Sequence, residues 1–153
     1  MKVNKSKIDD NWMVFIIENS DGNYEIHEKL FEKFGIAYAD LENKLIVIDG
    51  KAVTEQKLTQ NHLLAIEAHE IGHFISDHKG QINKLLEQME KEADWAAYRI
   101  LTEIEKHKAA DIISKRFQGQ YDLEIEKYDI KPGVRLKIEK FINEIKVIRP
   151  VLK

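Results

Sequence analysis

The apolar residues change their period near residue 60, and that change constrains the fold more than any other feature of the chain. Before it, two short apolar runs, Met13–Ile17 and 45–48, end at the turn clusters Ser20-Asp21-Gly22-Asn23 and Asp49-Gly50. After it, apolar residues recur at helical spacing. Leu63, Ile66, Ile71 and Phe74 form one stripe, Leu86, Met89, Ala93, Ala97, Ile100 and Ile104 a second, and Val134, Ile138, Phe141, Ile145 and Ile148 a third, with 109–117 as a further helix. The expected class is α+β, with a β-containing part over about 1–58 and a helical part over about 59–153. No repeat, linker or low-complexity tract divides the 153 residues, so one domain is expected.

Within the first part, 12–17 reads as a buried strand, with one short helix after Asp9-Asp10 as the alternative. Tyr24–Phe34 places Ile26, Leu30 and Phe34 one turn apart and predicts a helix closed by Gly35 as an αL cap. Residues 36–40 and 45–48, joined across Glu42-Asn43-Lys44, predict a hairpin. The first late helix is expected to end near His78-Lys79-Gly80.

Composition removes several function classes. The 24 Lys and Arg nearly balance 27 Asp and Glu, a formal net charge of −3, which argues against a chain that coats nucleic acid. There is no cysteine, so disulfide scaffolds, thiolate zinc sites, iron–sulfur clusters and thiol nucleophiles are all excluded, and any metal must be held by His and carboxylate. No apolar run approaches the ~20 residues that span a bilayer. The start MKVNKSKIDD has no apolar segment behind its lysines and does not read as a secretory signal. A soluble, cytoplasmic protein is expected.

The first late helix contains His69-Glu70-Ile71-Gly72-His73, an HExxH pattern. At 3.6 residues per turn His69 and His73 stack on one face, so both imidazoles can reach one ion with Glu70 beside them. That arrangement suits Zn2+, which takes two His nitrogens, a third protein ligand and a water whose proton Glu70 can accept as general base. With 6 His and 17 Glu in the chain, the bare pattern arises by chance in about 3 of a hundred such compositions. Context strengthens it. The pattern lies in an apolar-periodic segment, and Gly72 has no propensity reason to sit inside a helix unless a close approach requires it.

A third ligand is expected from the second stripe. With Ala93 at zero on a helical wheel, the stripe centres near about 20°, Glu90 falls at about 60° and Glu92 at about −100°. Glu90 is thus expected on the buried face, where a cation would offset its burial, with Glu92 at the edge as the fallback ligand. Asp94, one turn from Glu90, is expected to accept the free N–H of a ligating histidine.

The HExGH pattern followed by Glu90-Lys91-Glu92-Ala93-Asp94-Trp95-Ala96-Ala97 resembles the gluzincin arrangement, and most of all the ImmA/IrrE family of small metallopeptidases. The resemblance covers about residues 36–101. Many relatives carry a Leu-Met-Pro-like run where this chain has Ile100-Leu101-Thr102-Glu103. The resemblance implies a small zincin-like fold, a short twisted sheet packed on the active-site helix with helices behind it. It also implies His69, His73 and Glu90 as zinc ligands, Glu70 as catalytic base, an intracellular bacterial or phage setting, and a DNA-binding repressor or other regulator as substrate. A metzincin is excluded because Ser76 and Lys79 stand where Gly and His are required. A deformylase is excluded by the lack of cysteine.

The expected activity is zinc-dependent endopeptidase hydrolysis of a protein or peptide substrate, whose strand adds to a sheet edge near 45–48. The alternative is a zincin-fold binding module that docks on a regulator with hydrolysis latent or absent. Oxyanion donors are sought among Tyr98, His78, Arg116 and Tyr121. His27, His62 and His107 read as solvated or capping residues, and the basic excess over 131–153 as the solvated face of a helix. Neither nucleic acid nor membrane is expected as a partner.

Overall fold

A computed structural model describes residues 1–76 and 86–148. The chain divides into two compact units, Met1–Glu67 and Ala68–Lys153.

The first unit holds strands β1 (Lys2–Lys5), β2 (Met13–Ile17), β3 (Ala37–Asp40) and β4 (Leu45–Asp49), with helices α1 (Tyr24–Phe34) and α2 (Gly50–Glu55) and the first half of α3 (Gln60–Ile75). Met13–Ile17 is therefore a strand and not a short helix. The sheet order is β1-β2-β4-β3. The pair β2–β4 is parallel, with Phe15 opposite Val47, while β1–β2 and β3–β4 are antiparallel. The continuous apolar runs are the two central strands, and continuous runs are what strands covered on both faces require. The short outer strands KVNK and AYAD carry Lys2, Lys5 and Asp40, charges that discourage further pairing.

This order corrects the expected substrate edge. Residues 45–48 form an interior strand bonded on both sides, and the edges of the sheet are β1 and β3.

α1 covers one face of the sheet through Tyr24 and Phe31, packed with Ile17 and Val47 and flanked by Phe15 and Tyr38. The spacing that identifies this helix is not the face it buries, since Ile26 and Phe34 are 69% and 58% exposed. Its orientation follows instead from the Tyr24 hydroxyl, which donates to Asp49 Oδ1 at 3.0 Å, and from Phe31 and Tyr38, whose ring centroids are 5.4 Å apart. Gly35 does close the helix, donating to the Phe31 carbonyl at 2.8 Å, but at φ 101° and ψ −162° it is not in the αL region. That conformation is open essentially only to glycine. α2 was not legible in the sequence; Asp49 caps it by accepting from Lys51 N at 3.1 Å.

The second unit contains the rest of α3, α4 (Leu86–Glu103), α5 (His107–Tyr121), a 3-10 turn (Ile125–Lys127) and α6 (Pro132–Ile148). α4 is central, contacting α5, α6 and the 3-10 turn. It buries Ala93, Trp95, Ala96, Ala97, Ile100 and Leu101. A helix covered on several sides has no single buried stripe, and the wheel placed its two glutamates the wrong way round: Glu92 is fully buried and Glu90 half-buried. The Ile100-Leu101 pair that departs from the family pattern is fully buried core. α6 buries Val134, Ile138, Ile142 and Ile145. The expected helix end near His78-Lys79-Gly80 lies outside the described residues. Among the described residues no helix is long and apolar enough to cross a membrane.

Candidate metal centre

Thr59 begins α3 with a reciprocal cap, its backbone N–H donating to His62 Nδ1 at 3.2 Å and its Oγ1 accepting from His62 N at 3.3 Å. His62 is thus a capping residue, as expected. In the first unit Glu67, on the same helix, accepts from Ser6 Oγ at 2.8 Å and Lys7 N at 3.0 Å, an anchor of its buried carboxylate that the sequence did not suggest.

In the second unit α3 presents His69 and His73 one turn apart. Their rings meet edge-on with centroids 4.7 Å apart, and their Nε2 atoms are 3.1 Å apart. α4 brings Glu90 to the same point: Oε2 lies 2.9 Å from His69 Nε2 and Oε1 3.4 Å from His73 Nε2. Among the described residues these three form the group that could hold a metal ion, with one ligand atom from each within 4.8 Å of the others. The donor set fits zinc. Bonds of ~2.1 Å in a tetrahedron require ligand atoms about 3.4 Å apart, close to the separations found.

The close approach of the two helices is set by Gly72. A Cβ there would stand 2.6 Å from the Ala93 carbonyl oxygen, so α3 and α4 touch backbone to backbone between the histidines and the acidic pair. From α4, Asp94 Oδ1 stands 2.7 Å from His69 Nδ1. An ionised carboxylate only accepts, so Nδ1 carries a proton toward Asp94, which leaves Nε2, the ring nitrogen facing Glu90, as the atom that can give up its proton to bind an ion. Asp94 is 2% exposed and its second partner is Arg116 of α5, whose Nη2 donates to the same oxygen. Arg116 was sought as an oxyanion donor; it is found holding Asp94.

The electrostatics reflect a site that draws in positive charge. Burial alone would lower the His69 pKa, but the hydrogen bonds to Asp94 and Glu90 outweigh it and push it up to about 10. Burial raises the pKa of Glu90, yet His69 and His73 together hold that carboxyl well below the usual range. Glu70 is half-buried next to His69, and its charge adds to the field on that ring.

The remaining expected residues are placed as follows. Glu92 lies outside the metal group, with Gln88 Nε2 3.4 Å from its Oε2. The Tyr98 hydroxyl donates to Glu126 at 2.6 Å. Tyr121, the last residue of α5, packs against Phe117 at 4.8 Å with Lys91 Nζ 4.8 Å above its ring. Its hydroxyl is pushed up to about 12 by burial and then by the charges of Asp94, Glu90 and Glu87. His27 contacts the Tyr38 hydroxyl at 2.5 Å, and His107 is exposed at the start of α5. His78 lies outside the described residues.

Comparison with known proteins finds no matching family model, no matching curated protein and no matching solved structure.

Proposed function

We propose that this chain is a zinc-dependent endopeptidase in which His69, His73 and Glu90 hold the metal and Glu70 is the general base. The observation that carries the reading is the convergence of two Nε2 atoms and one carboxylate at 2.9 to 3.4 Å, on an HExxH helix whose glutamate remains beside them. When bound, zinc supplies Lewis-acid polarisation of a peptide carbonyl and acidifies the attacking water.

The chain's own groups do the rest. Asp94 fixes the tautomer of His69 so that Nε2 stays a ligand, and Arg116 compensates the buried charge of Asp94. The Glu70 carboxylate takes the proton of the attacking water and passes it to the leaving amine. Tyr121 stays a neutral hydroxyl across the physiological range, because burial and then the charges of Asp94, Glu90 and Glu87 hold its proton.

The substrate class, a DNA-binding repressor or similar regulator, is supported by the resemblance to ImmA/IrrE peptidases, as are the zincin-like fold and a cytoplasmic setting. The test is cleavage of repressors encoded beside the gene, by zinc-loaded wild type against Glu70→Gln. Loss of cleavage in a variant that still binds zinc supports the proposal. Equal cleavage by both proteins contradicts it.

A further inference from the structure

Arg116 is held at the metal group by one corner of its guanidinium. α5 is seated through Ala109, Ala110, Ile113 and Phe117, which leaves Arg116 at the margin of the buried face. From there Nη2 donates to Asp94 Oδ1 and stands 3.4 Å from His69 Nδ1, a close approach and not a bond, because both nitrogens carry protons. A guanidinium offers five N–H donors in a planar fork. Those on Nε and Nη1 have no hydrogen-bond partner among the described residues, and the side chain is 46% exposed although its anchor, Asp94, is 2% exposed. The open donors are therefore held in place by a buried carboxylate.

Tyr121 marks the space they border. Burial and then Asp94, Glu90 and Glu87 hold its proton while Arg116 opposes them, so the guanidinium, the metal group and the end of α5 face common ground. Charge decides what the donors can take. The single charge of Arg116 is already matched by Asp94, and Glu90 and Glu87 stand nearby, so a further carboxylate would meet more negative charge than positive. A neutral carbonyl oxygen meets no such opposition, and a bound peptide offers one in every residue.

We infer that Arg116 is a substrate-binding residue whose open N–H donors hold a backbone carbonyl next to the scissile bond. The inference rests on the peptidase reading of the site and deepens it. A grip on the backbone is indifferent to the side chain carried there, so Arg116 sets the register of the substrate and not its sequence.

The test is calorimetric binding of two hydroxamate probes to the full chain, with zinc in excess so that weaker metal binding in a variant does not enter. Each probe carries the hydroxamate, a leucine-like residue and a tyrosine amide. In one the leucine-like residue keeps its peptide carbonyl, and in the other a trans-alkene of the same shape replaces that peptide bond. Wild type is expected to prefer the carbonyl probe by about tenfold or more, and Arg116→Ala to lose that preference. Arg116→Lys, which keeps a cation for Asp94 without the fork, is expected to lose it as well. Equal weakening of both probes in the variants would overturn the inference, by confining Arg116 to its support of His69. An Arg116-dependent gain seen only for a probe that ends in a free carboxylate would overturn it too, by assigning the donors to an anion. Failure of both probes to bind the zinc-loaded wild type would instead overturn the peptidase reading, and the inference with it.

Discussion

A Cβ on Gly72 would lie 2.6 Å from the carbonyl oxygen of Ala93, so the helix bearing both histidines and the helix bearing Glu90 and Asp94 meet with no side chain between them. Gly72→Ala sets two effects against each other. Alanine gains up to about 1 kcal/mol of helix propensity, but forcing the backbones apart costs about 1–3 kcal/mol. The clash is with backbone that cannot rotate away, so net destabilisation is expected in denaturant melts, together with weaker zinc binding in a chelator competition.

Glu90 and Glu92 separate cleanly by substitution. Glu90→Gln is expected to abolish tight zinc binding while the chain stays folded, because the side chain is 38% exposed. Glu92→Gln is expected to leave zinc binding intact and lower stability by about 1–3 kcal/mol, as altering a buried hydrogen-bonded carboxylate does. Zinc titration and urea melts of the two proteins check this, and reversed phenotypes would make Glu92 the ligand.

Asp94→Asn replaces the acceptor that orients His69 with an amide and leaves Arg116 without its anionic partner. Zinc affinity is expected to fall about 10- to 100-fold, the usual cost of losing a carboxylate behind a ligating histidine. Arg116→Ala is expected to fall in the same direction by less, and a competition assay with a fluorescent zinc indicator measures both.

Stability is expected to decline in alkali through Tyr24. Burial, then the hydrogen bond to Asp49, pushes its hydroxyl from 10 up to about 12. A pKa raised in the folded state gives stability that is complete below pH 10 and lost as pH climbs through 12. Tyr24→Phe is expected to flatten that decline in urea melts at pH 9 to 12, while costing about 0.5–1.5 kcal/mol at neutral pH for the lost hydrogen bond.

The parts of the fold legible in the sequence are those whose signal is local. Met13–Ile17 and the 45–48 run announce buried strands because central strands are apolar on both faces, and Tyr24–Phe34 is bounded as its spacing predicts. β1, with one apolar residue in KVNK, is a strand only because β2 pairs with it. The parallel pairing that puts β4 inside the sheet is equally non-local. In the metal group, the HExxH spacing reports His69 and His73 directly. Glu90 was selected by a burial argument that the structure reverses, and what brings it to the histidines is its position one turn before Asp94 on a helix held close by Gly72. The Arg116 to Asp94 pair spans 22 residues, and no local pattern encodes it.

Metal analysis of the purified chain, refolded with zinc and dialysed against weak chelator, tests the central claim most directly when anomalous density is recorded on the same protein. The account predicts one zinc per chain, lying between His69 Nε2, His73 Nε2 and the Glu90 carboxylate. A chain that retains no zinc, or that binds it away from these three residues, would contradict it.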